Sequence, residues 1–462
     1  MANIKRIEGK NGVSFKITVT SGRDINGKQV RHYLTWTPDT KMTERQMQKA
    51  VERAAADFER NIEQGFQTDN KQTFSEYARY VIELKERSGL KHRTIYMYKK
   101  LLERCDQGIG HLKLTDIRPH HLNSFYKNLM EDGIRKSGHK ATANVDMKAY
   151  LQKHGITKAA IAEQAGISMG TLDNCCHGKK IALDRAEAIS KALNRKTTDL
   201  FTVERDTRPL SAKTQLEYHR FIHTILDQAE KEMIVPYNAA AKATPPKPEK
   251  KEVNYFQADE ISAILDALEQ EPIKWRVFAH LLMVTGCRNG EIAGLKWEKV
   301  DFEKRQIKID TQLLYTPEKG IYENATKTGD IRLLALPAET MALLREYRAW
   351  YNELRLMNGD RWQNSGYLFV QDDGKPIMPS TPGAWLNRFY KRHNLPKINP
   401  HAFRHTVASV LIHNGTDIVS VSKRLGHART STTTDIYAHI MQEADQQASE
   451  CIADALLRRK KA

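Results

Sequence analysis

The spacing of the apolar residues changes along the chain, and this change limits the folds that it can adopt. Over residues 1–37 apolar and polar residues alternate, as at Val13, Phe15 and Ile17, which is typical of strands with one buried face. Over residues 43–232 the apolar residues recur at helical spacing instead. The sequence therefore predicts a multidomain, mainly α protein that begins with a three-stranded sheet and one helix.

A module with a different pattern interrupts the helical section between residues 139 and 206. Short helices are predicted there in quick succession, over residues 146–154, 157–165, 168–177, 183–193 and 198–201. Gly166 stands between the second and the third of them, where two helices need a tight bend. The pattern resembles the Cro/repressor-like helix-turn-helix module, which implies a DNA-binding fold for this stretch.

The helix of this module that would read DNA bases has few side chains suited to base recognition. Its candidate DNA contacts are Ser168, Thr171 and Asn174. Asp173 on the same helix would repel phosphate, and Cys176 stands where the resembled family often has Glu. Two interpretations therefore stay open: the module binds DNA, or its fold serves to dock another protein.

Residues 235–254 are rich in Pro, Ala and Lys and show no apolar period. This composition is typical of an extended linker, and its lysines suit either contact with a phosphate backbone or a solvated tether. The roughly two hundred residues that follow, 255–462, are enough for a catalytic domain.

The excess of basic residues bears on what the chain binds. The net charge is +17, from 73 Lys and Arg against 56 Asp and Glu, which favours a polyanion and above all nucleic acid. A basic protein without such a partner is the alternative. No apolar run is long enough to span a membrane, and the first residues lack the apolar core of a secretory signal. The five cysteines form no C-x-x-C pair, so we expect a protein of the reducing cytoplasm.

Four short motifs in the last section contain residues that can bind or attack a phosphodiester. They are residues 285–291 with Arg288, residues 325–330 with Lys327, residues 401–406 with His401 and Arg404, and residues 425–427 with His427, followed by Tyr437. Each motif alone has an ordinary explanation, such as a surface ion pair or a packing tyrosine. A metal site at the histidines is disfavoured because carboxylates are scarce and the arginines would repel a cation.

Together the motifs resemble the tyrosine recombinase (phage integrase) family in type and order, over nearly the whole chain. The resemblance implies an arm-site DNA-binding domain at 1–66 and a SAM-like helical core-binding domain at 72–138 and 207–234. The helix-turn-helix insert at 139–206 departs from the usual plan. Residues 255–462 would form a mainly α catalytic domain with a small sheet.

The implied activity is site-specific DNA recombination through a 3′-phosphotyrosyl intermediate and a Holliday junction, for integration and excision of a mobile element. No metal, ATP or other cofactor is expected. Tyr437 would be the nucleophile, and Arg288 and Arg404 would grip the phosphate oxygens. His401 would take a proton or orient the site, and His427 would bind the phosphate. Lys327 would protonate the 5′ leaving oxygen, with Lys319 as its alternative, and Glu291 would position Arg288.

The expected partners are double-stranded DNA at core-type and arm-type sites and further copies of the chain in a homotetramer. An excisionase and a host DNA-bending protein are candidate accessory partners, and no membrane partner is expected. The apolar stripe within 445–462 would pack on its own domain or on a neighbouring copy. Two rival functions are a resolvase or type IB topoisomerase-like enzyme, and a transcriptional regulator with a degenerate recombinase core. The expected location is the nucleoid of a bacterial cell.

Overall fold

The computed structural model describes residues 2–9, 12–23, 27–38, 42–63, 71–135, 138–249, 255–326, 331–434 and 437. Internal contacts divide the chain into two compact units, residues 1–250 and 251–462. This boundary falls within the segment predicted to be a linker. No helix in the described ranges is long and apolar enough to cross a membrane.

The first unit begins with an antiparallel sheet of three strands, in the order β1 (Asn3–Gly9), β2 (Gly12–Arg23) and β3 (Gln29–Trp36), followed by α1 (Glu44–Glu63). Phe15 and Ile17 on β2 are buried against Val51 and Phe58 of α1. The apolar residues of the alternating pattern therefore face the helix, and the predicted sheet with one helix is confirmed.

The rest of this unit consists of a helical domain and the module inserted in it. The elements are α2 (Phe74–Arg87), α3 (His92–Gly108), α4 (Pro119–Leu129), β4 (Lys140–Ala143), α5 (Met147–Lys153), α6 (Lys158–Gln164), α7 (Met169–Cys176), β5 (Ile181–Ala182), α8 (Leu183–Ala192), α9 (Thr197–Leu200), β6 (Phe201–Glu204) and α10 (Ala212–Lys231). Helices α2, α3, α4 and α10 share one apolar core that includes Phe74, Leu122 and Phe221. The Thr73 side chain and Glu76 form a capping box at the start of α2, as the pattern Thr73-Phe74-Ser75-Glu76 in the sequence predicts.

The insert contains the predicted series of short helices, with a core of its own. The side chains of Asp146, Thr157 and Ser168 cap three of these helices, and Gly166 adopts a left-handed conformation with φ +61° between α6 and α7. The sequence did not predict the sheet β5-β4-β6, in which β4 pairs with β6 from Lys140–Glu204 to Ala143–Phe201. The two ends of the insert are therefore hydrogen-bonded neighbours.

The beginning of the predicted linker differs from expectation. Val235 and Ala240 are buried in the core of the helical domain, and the Asn238 side chain donates to the carbonyl of His223 at 3.0 Å. The Ala-rich stretch allows this because small side chains fit close to α10 in a 3-10 turn at Ala239–Lys242. Only the part after this turn fits the prediction of an extended linker.

The second unit has helices around small sheets. Its elements are α11 (Ala258–Leu268), α12 (Ile273–Thr285), α13 (Asn289–Ala293), β7 (Val300–Asp301), β8 (Gln306–Ile309), β9 (Thr311–Thr316), β10 (Gly320–Ala325), β11 (Arg332–Ala335), α14 (Ala338–Asn358), α15 (Thr381–Arg392), α16 (Pro400–His413) and α17 (Ile418–Leu425). Strands β11-β8-β7 form one sheet, and β9 and β10 form a hairpin. The sequence indicated strands on either side of the Lys327 motif but did not resolve this hairpin. Phe278 and Leu282 of α12 lie at the centre of the core, and the ends of α12, α16 and α17 carry the motif residues.

Candidate active site

The first motif begins where α12 ends at Gly286, whose φ of +64° turns the chain toward α13. Arg288 occupies the N-cap position of α13, as the sequence predicts. Its backbone amide donates to one carboxylate oxygen of Glu291 at 2.9 Å, and its Nη1 donates to the other at 2.9 Å. Glu291 therefore positions Arg288, which is the role expected for it.

Glu291 also binds Arg332, a residue that was not among those predicted for the site. Arg332 Nη2 lies 2.6 Å from the carboxylate of Glu291, and the glutamate is only 1% exposed. Burial alone would raise the pKa of Glu291, but Arg332 and the hydrogen bonds from Arg288 outweigh it and hold the pKa below its usual value. The site thus contains a buried carboxylate that stays ionised between two arginines.

Arg404 lies on α16 and is nearly buried, at 4% exposure. Its Nη1 donates to the carbonyl of Gly286 at 2.9 Å, whereas its buried Nη2 has no hydrogen-bond partner in the described part of the chain. Burial and then the nearby charge of Arg288 lower the pKa of Arg404 to about 10, so the group is still charged at neutral pH. Because an unsatisfied buried donor is costly, this nitrogen is a candidate contact for a ligand anion.

Arginine side chains tie the motifs together by donating to backbone carbonyls. The bonds join Arg288 Nη2 to Gly426 (2.9 Å), Arg404 Nη1 to Gly286 (2.9 Å), Arg332 Nη1 to Arg424 (3.1 Å) and Arg424 Nη2 to Val284 (3.0 Å). Each arginine and its carbonyl come from different segments of the sequence. The first, third and fourth motifs, which are far apart in sequence, therefore converge on one positively charged site.

His401 and His427 belong to the same site. His401 lies in the first turn of α16 at the solvent-exposed edge, and partial burial followed by Arg404 and Arg288 lowers its pKa. His427 Nδ1 lies 2.7 Å from the Thr433 hydroxyl, and burial, Arg404 and Arg288 lower its pKa to about 4. Both imidazoles are therefore expected to be neutral at neutral pH before an anion arrives.

Tyr437 is 1% exposed and packs with Ala408 and Leu425 between α16 and α17. Its hydroxyl lies 2.7 Å from Nδ1 of His405. Burial raises the pKa of the phenol to about 12, with Arg404 acting in the opposite direction. His405 lies one turn after His401 on the same face of α16, and from the sequence it was only one of the histidines of the disfavoured metal site.

Lys327 lies outside the described residues, so its predicted role is untested. Its alternative, Lys319, lies at the turn between β9 and β10, where Nζ is 4.9 Å from the centre of the Tyr322 ring. Within the described residues, this contact joins Lys319 to the β9–β10 hairpin.

The insert presents its candidate DNA contacts at the start and along the exposed side of α7. The Ser168 hydroxyl accepts from the Thr171 amide at 3.2 Å and lies 2.9 Å from the Thr171 hydroxyl, so both side chains take part in capping. Asn174 is exposed. Asp173, expected to repel phosphate, pairs with Lys158 at 2.6 Å, and this contact lowers the pKa of Asp173 while offsetting its charge.

Comparison with known proteins identifies the families to which the arginine site and the insert are similar. Residues 254–444 match the phage integrase family. A XerC-like tyrosine recombinase of Caldanaerobacter subterraneus is 30% identical over 265 residues, which cover 54% of this chain and 67% of that protein. The chain belongs to the tyrosine recombinase family. It is therefore a tyrosine-type site-specific DNA recombinase, and the predicted class of enzyme is confirmed.

Other relatives of the recombinase are integrases. The ICEBs1 integrase of Bacillus subtilis is 24% identical over 58% of this chain and 72% of its own length. A solved structure of the Tn1549 transposon integrase in complex with a circular intermediate DNA superposes with a TM-score of 0.56 at 17% identity, over 83% of this chain and 100% of that one. The predicted recombinase fold is thereby confirmed, and the predicted function as the integrase of a mobile element agrees with these relatives.

Residues 146–206 match the Cro/C1-type helix-turn-helix DNA-binding domain. The resemblance of the insert to that fold is therefore confirmed. The assignment of Ser168, Thr171 and Asn174 as DNA contacts remains a prediction.

Proposed function

We propose that this recombinase cleaves one DNA strand at a time with Tyr437 as the nucleophile, so that its Oη forms a 3′-phosphotyrosyl bond. The observation that carries the proposal is the convergence of three separate motifs on one buried, cationic site beside Tyr437. Phosphoryl transfer needs positive charge held in place around the equatorial oxygens, and an immobilised arginine supplies it without reorganisation. This is the arrangement of Arg288 and Arg404.

The other site residues would act as follows, and the role given to Lys327 rests on the sequence alone. Nη2 of Arg404, which is unpaired within the described residues, would donate to a phosphate oxygen, together with Arg288. His427, and His401 at the exposed edge, would bind or orient the same phosphate. Attack by Tyr437 breaks the bond from phosphorus to O5′, and Lys327 would protonate that oxygen as it leaves. Because the phosphotyrosyl bond retains the energy of the broken one, the step is reversible without ATP.

A covalent trapping experiment tests this proposal. Footprinting on the DNA that flanks the recombinase gene defines a site, and a nicked duplex of that site lets the cleaved strand diffuse away. We expect a covalent protein–DNA adduct with the native protein and none with Tyr437→Phe, although both bind the duplex. DNA binding by the native protein without any adduct would favour the rival function, a transcriptional regulator with a degenerate core.

We also infer that residues 1–66 bind arm-type DNA through the outer face of the N-terminal sheet. Phe15 and Ile17 occupy the other face, so the intervening positions carry the exposed side chains. Lys5, Lys16 and Tyr33 lie on this outer face, with Lys16 Nζ 4.5 Å from the centre of the Tyr33 ring. A basic surface with an aromatic side chain suits contact with a phosphate backbone.

For the insert we favour DNA as the partner, through Ser168, Thr171 and Asn174. The pairing of Asp173 with Lys158 supports this because it offsets the negative charge that would oppose binding. Replacing 139–206 with a short loop is expected to leave cleavage of core sites intact and to change the choice or regulation of sites. Loss of all core-site binding in that variant would contradict the independence of the insert.

The proposal includes a homotetramer on DNA, in which residues 445–462 of one copy dock on the next. A groove of about 280 Å³ between α11, α12 and α16 is lined by apolar side chains, Ile261, Met283 and Phe403 among them. An apolar stripe on the C-terminal segment would fit such a surface. An excisionase or a host DNA-bending protein would then set the direction of recombination on the bacterial nucleoid.

A further inference from the structure

Among the described residues, the Tyr437 hydroxyl is hydrogen-bonded only to His405. The Nδ1–Oη distance is 2.7 Å, and the two ring centres are 5.8 Å apart. No hydrogen bond between Tyr437 and His401 is present in the part of the chain that the structure describes. The His401 ring centre lies 6.5 Å from that of His405. The geometry therefore singles out His405 as the imidazole beside the attacking oxygen.

We propose that His405 is a catalytic residue, whose Nδ1 accepts the phenolic proton of Tyr437 as Oη attacks phosphorus. The inference rests on the proposed role of Tyr437 as nucleophile. It assigns the proton of the attacking oxygen to His405, and His401 is left to bind the phosphate.

The step balances in both directions. The Oη–H proton moves to Nδ1 while the Oη–phosphorus bond forms and the phosphorus–O5′ bond breaks, and the 5′-oxygen takes a proton from Lys327. In rejoining, the 5′-hydroxyl attacks phosphorus and returns its proton to Lys327. The imidazolium of His405 then protonates the departing phenolate.

The surroundings keep His405 in the neutral form, which can accept a proton. Burial, followed by His401 and Arg404, lowers its pKa to about 4, so it is neutral at neutral pH. The groups that face it are His401 and Arg404 on α16, and Tyr437 and His427 from the segments packed against that helix. A phosphate bound to Arg404 would offset the positive charge that now depresses the basicity of His405. Proton acceptance would thus become easier when substrate is in place.

The test compares native protein with His405→Asn, because an Asn amide can still hydrogen-bond near the Nδ1 position but cannot accept a proton as a base. Adduct formation on the nicked duplex is followed in single turnover from acid to alkaline pH. At neutral pH we expect about a 100-fold or greater slowing in the variant, the usual scale of general base catalysis. His393→Asn, which removes an imidazole elsewhere in the same domain, is the matched control and should leave the rate unchanged.

The shape of the pH profile separates a proton acceptor from a residue that only orients the phenol. The native rate should be nearly flat around neutral pH, whereas the rate of His405→Asn should rise with pH toward the pKa of Tyr437, about 12. His401 and His427 titrate on the acid side and remain in both proteins, so the alkaline limb is diagnostic. A variant profile parallel to the native one would overturn the proposal.

A more acidic nucleophile gives a second measurement. With a fluorinated tyrosine at position 437, the defect of His405→Asn should shrink at least about tenfold, because a more acidic phenol needs less help from a base. An undiminished defect would contradict the proposal. If His405→Asn fails to fold, His405→Gln and the effect of the fluorinated nucleophile in the native background decide the question. Absence of any adduct with native protein would instead refute the role of Tyr437.

Discussion

The arginine site and the base-reading helix of the insert are both polar surfaces proposed to meet DNA, but they hold their charges differently. In the site, Arg404 and Glu291 are buried, Arg404 donates to the Gly286 carbonyl of another motif, and Glu291 lies between Arg288 and Arg332. On α7, Asn174 is exposed and Asp173 pairs with a partly exposed lysine. Substitutions of the buried site residues should therefore reduce stability and cleavage much more than substitutions on the exposed helix.

The largest effect is expected from Arg404→Ala. Loss of an immobilised donor to a developing phosphate charge typically slows the chemical step about 100- to 1000-fold. Adduct formation on the nicked duplex measures it, with Arg348→Ala on the exposed side of α14 as a control that should behave as native protein. A loss of less than about tenfold would show that the buried guanidinium is structural rather than catalytic.

Glu291→Gln should mainly affect stability. Removing one partner of a buried ion pair leaves Arg332 and Arg288 uncompensated, at a cost of about 3 kcal/mol in the free energy of unfolding. Denaturant titration measures it, and the double variant with Arg332→Gln should lose less than the sum of the two single variants. Additive losses would mean that the pair is not coupled.

The pH dependence of this loss follows from the lowered pKa of Glu291. A carboxylate with a depressed pKa in the folded state stabilises the protein above its usual pKa of 4.5, and that contribution disappears as the pH falls through the lower folded value. The difference in stability between native protein and Glu291→Gln should therefore be constant near neutral pH and shrink below about 4.5. An unchanged difference at acid pH would contradict the ionised state.

A smaller effect is expected at Gly426, where a Cβ would lie 2.8 Å from the Arg332 guanidinium carbon and φ is +70°. Gly415 has a similar φ of +76° with open space around the position of a Cβ. Gly415→Ala thus measures backbone strain alone, about 1 kcal/mol. Gly426→Ala should lose about 1–2 kcal/mol more and should slow cleavage, because it displaces Arg332. Equal losses at the two glycines would show that the close contact does not matter.

The smallest effect is expected on the insert. Asp173→Asn removes a negative charge from the helix face and frees Lys158, so binding of DNA to the insert should tighten a few-fold at low salt without a change in cleavage rate. A mobility-shift titration at two salt concentrations measures the change. Unchanged DNA binding would favour the docking of a protein on this face.

The sequence allowed prediction of those parts that local pattern determines. The capping box at Thr73 marked the start of α2, and the motif residues Arg288, His401 and Arg404 were recognisable by type and order. Arg332 and His405 were missed as site residues because their partners, Glu291 and Tyr437, reach them only through the tertiary fold. The strands at the ends of the insert were missed because four-residue strands such as Lys140–Ala143 are too short for a clear alternation.

The pairing of β4 with β6 has a consequence for the domain that carries the insert. Arg135 pairs with Asp206 at 3.1 Å, and the Gly133 amide donates to the carbonyl of Thr207 at 2.7 Å. The points at which the chain enters and leaves the insert are therefore held side by side. Because its ends lie side by side, the whole module connects the four surrounding helices as a single short loop would, whatever its length. The entropy of closing that connection is therefore separate from the folding of the module itself. Any other segment whose two ends meet at the same spacing would satisfy the same junction, so the length and fold of the insert can change without a change in the helical domain around it.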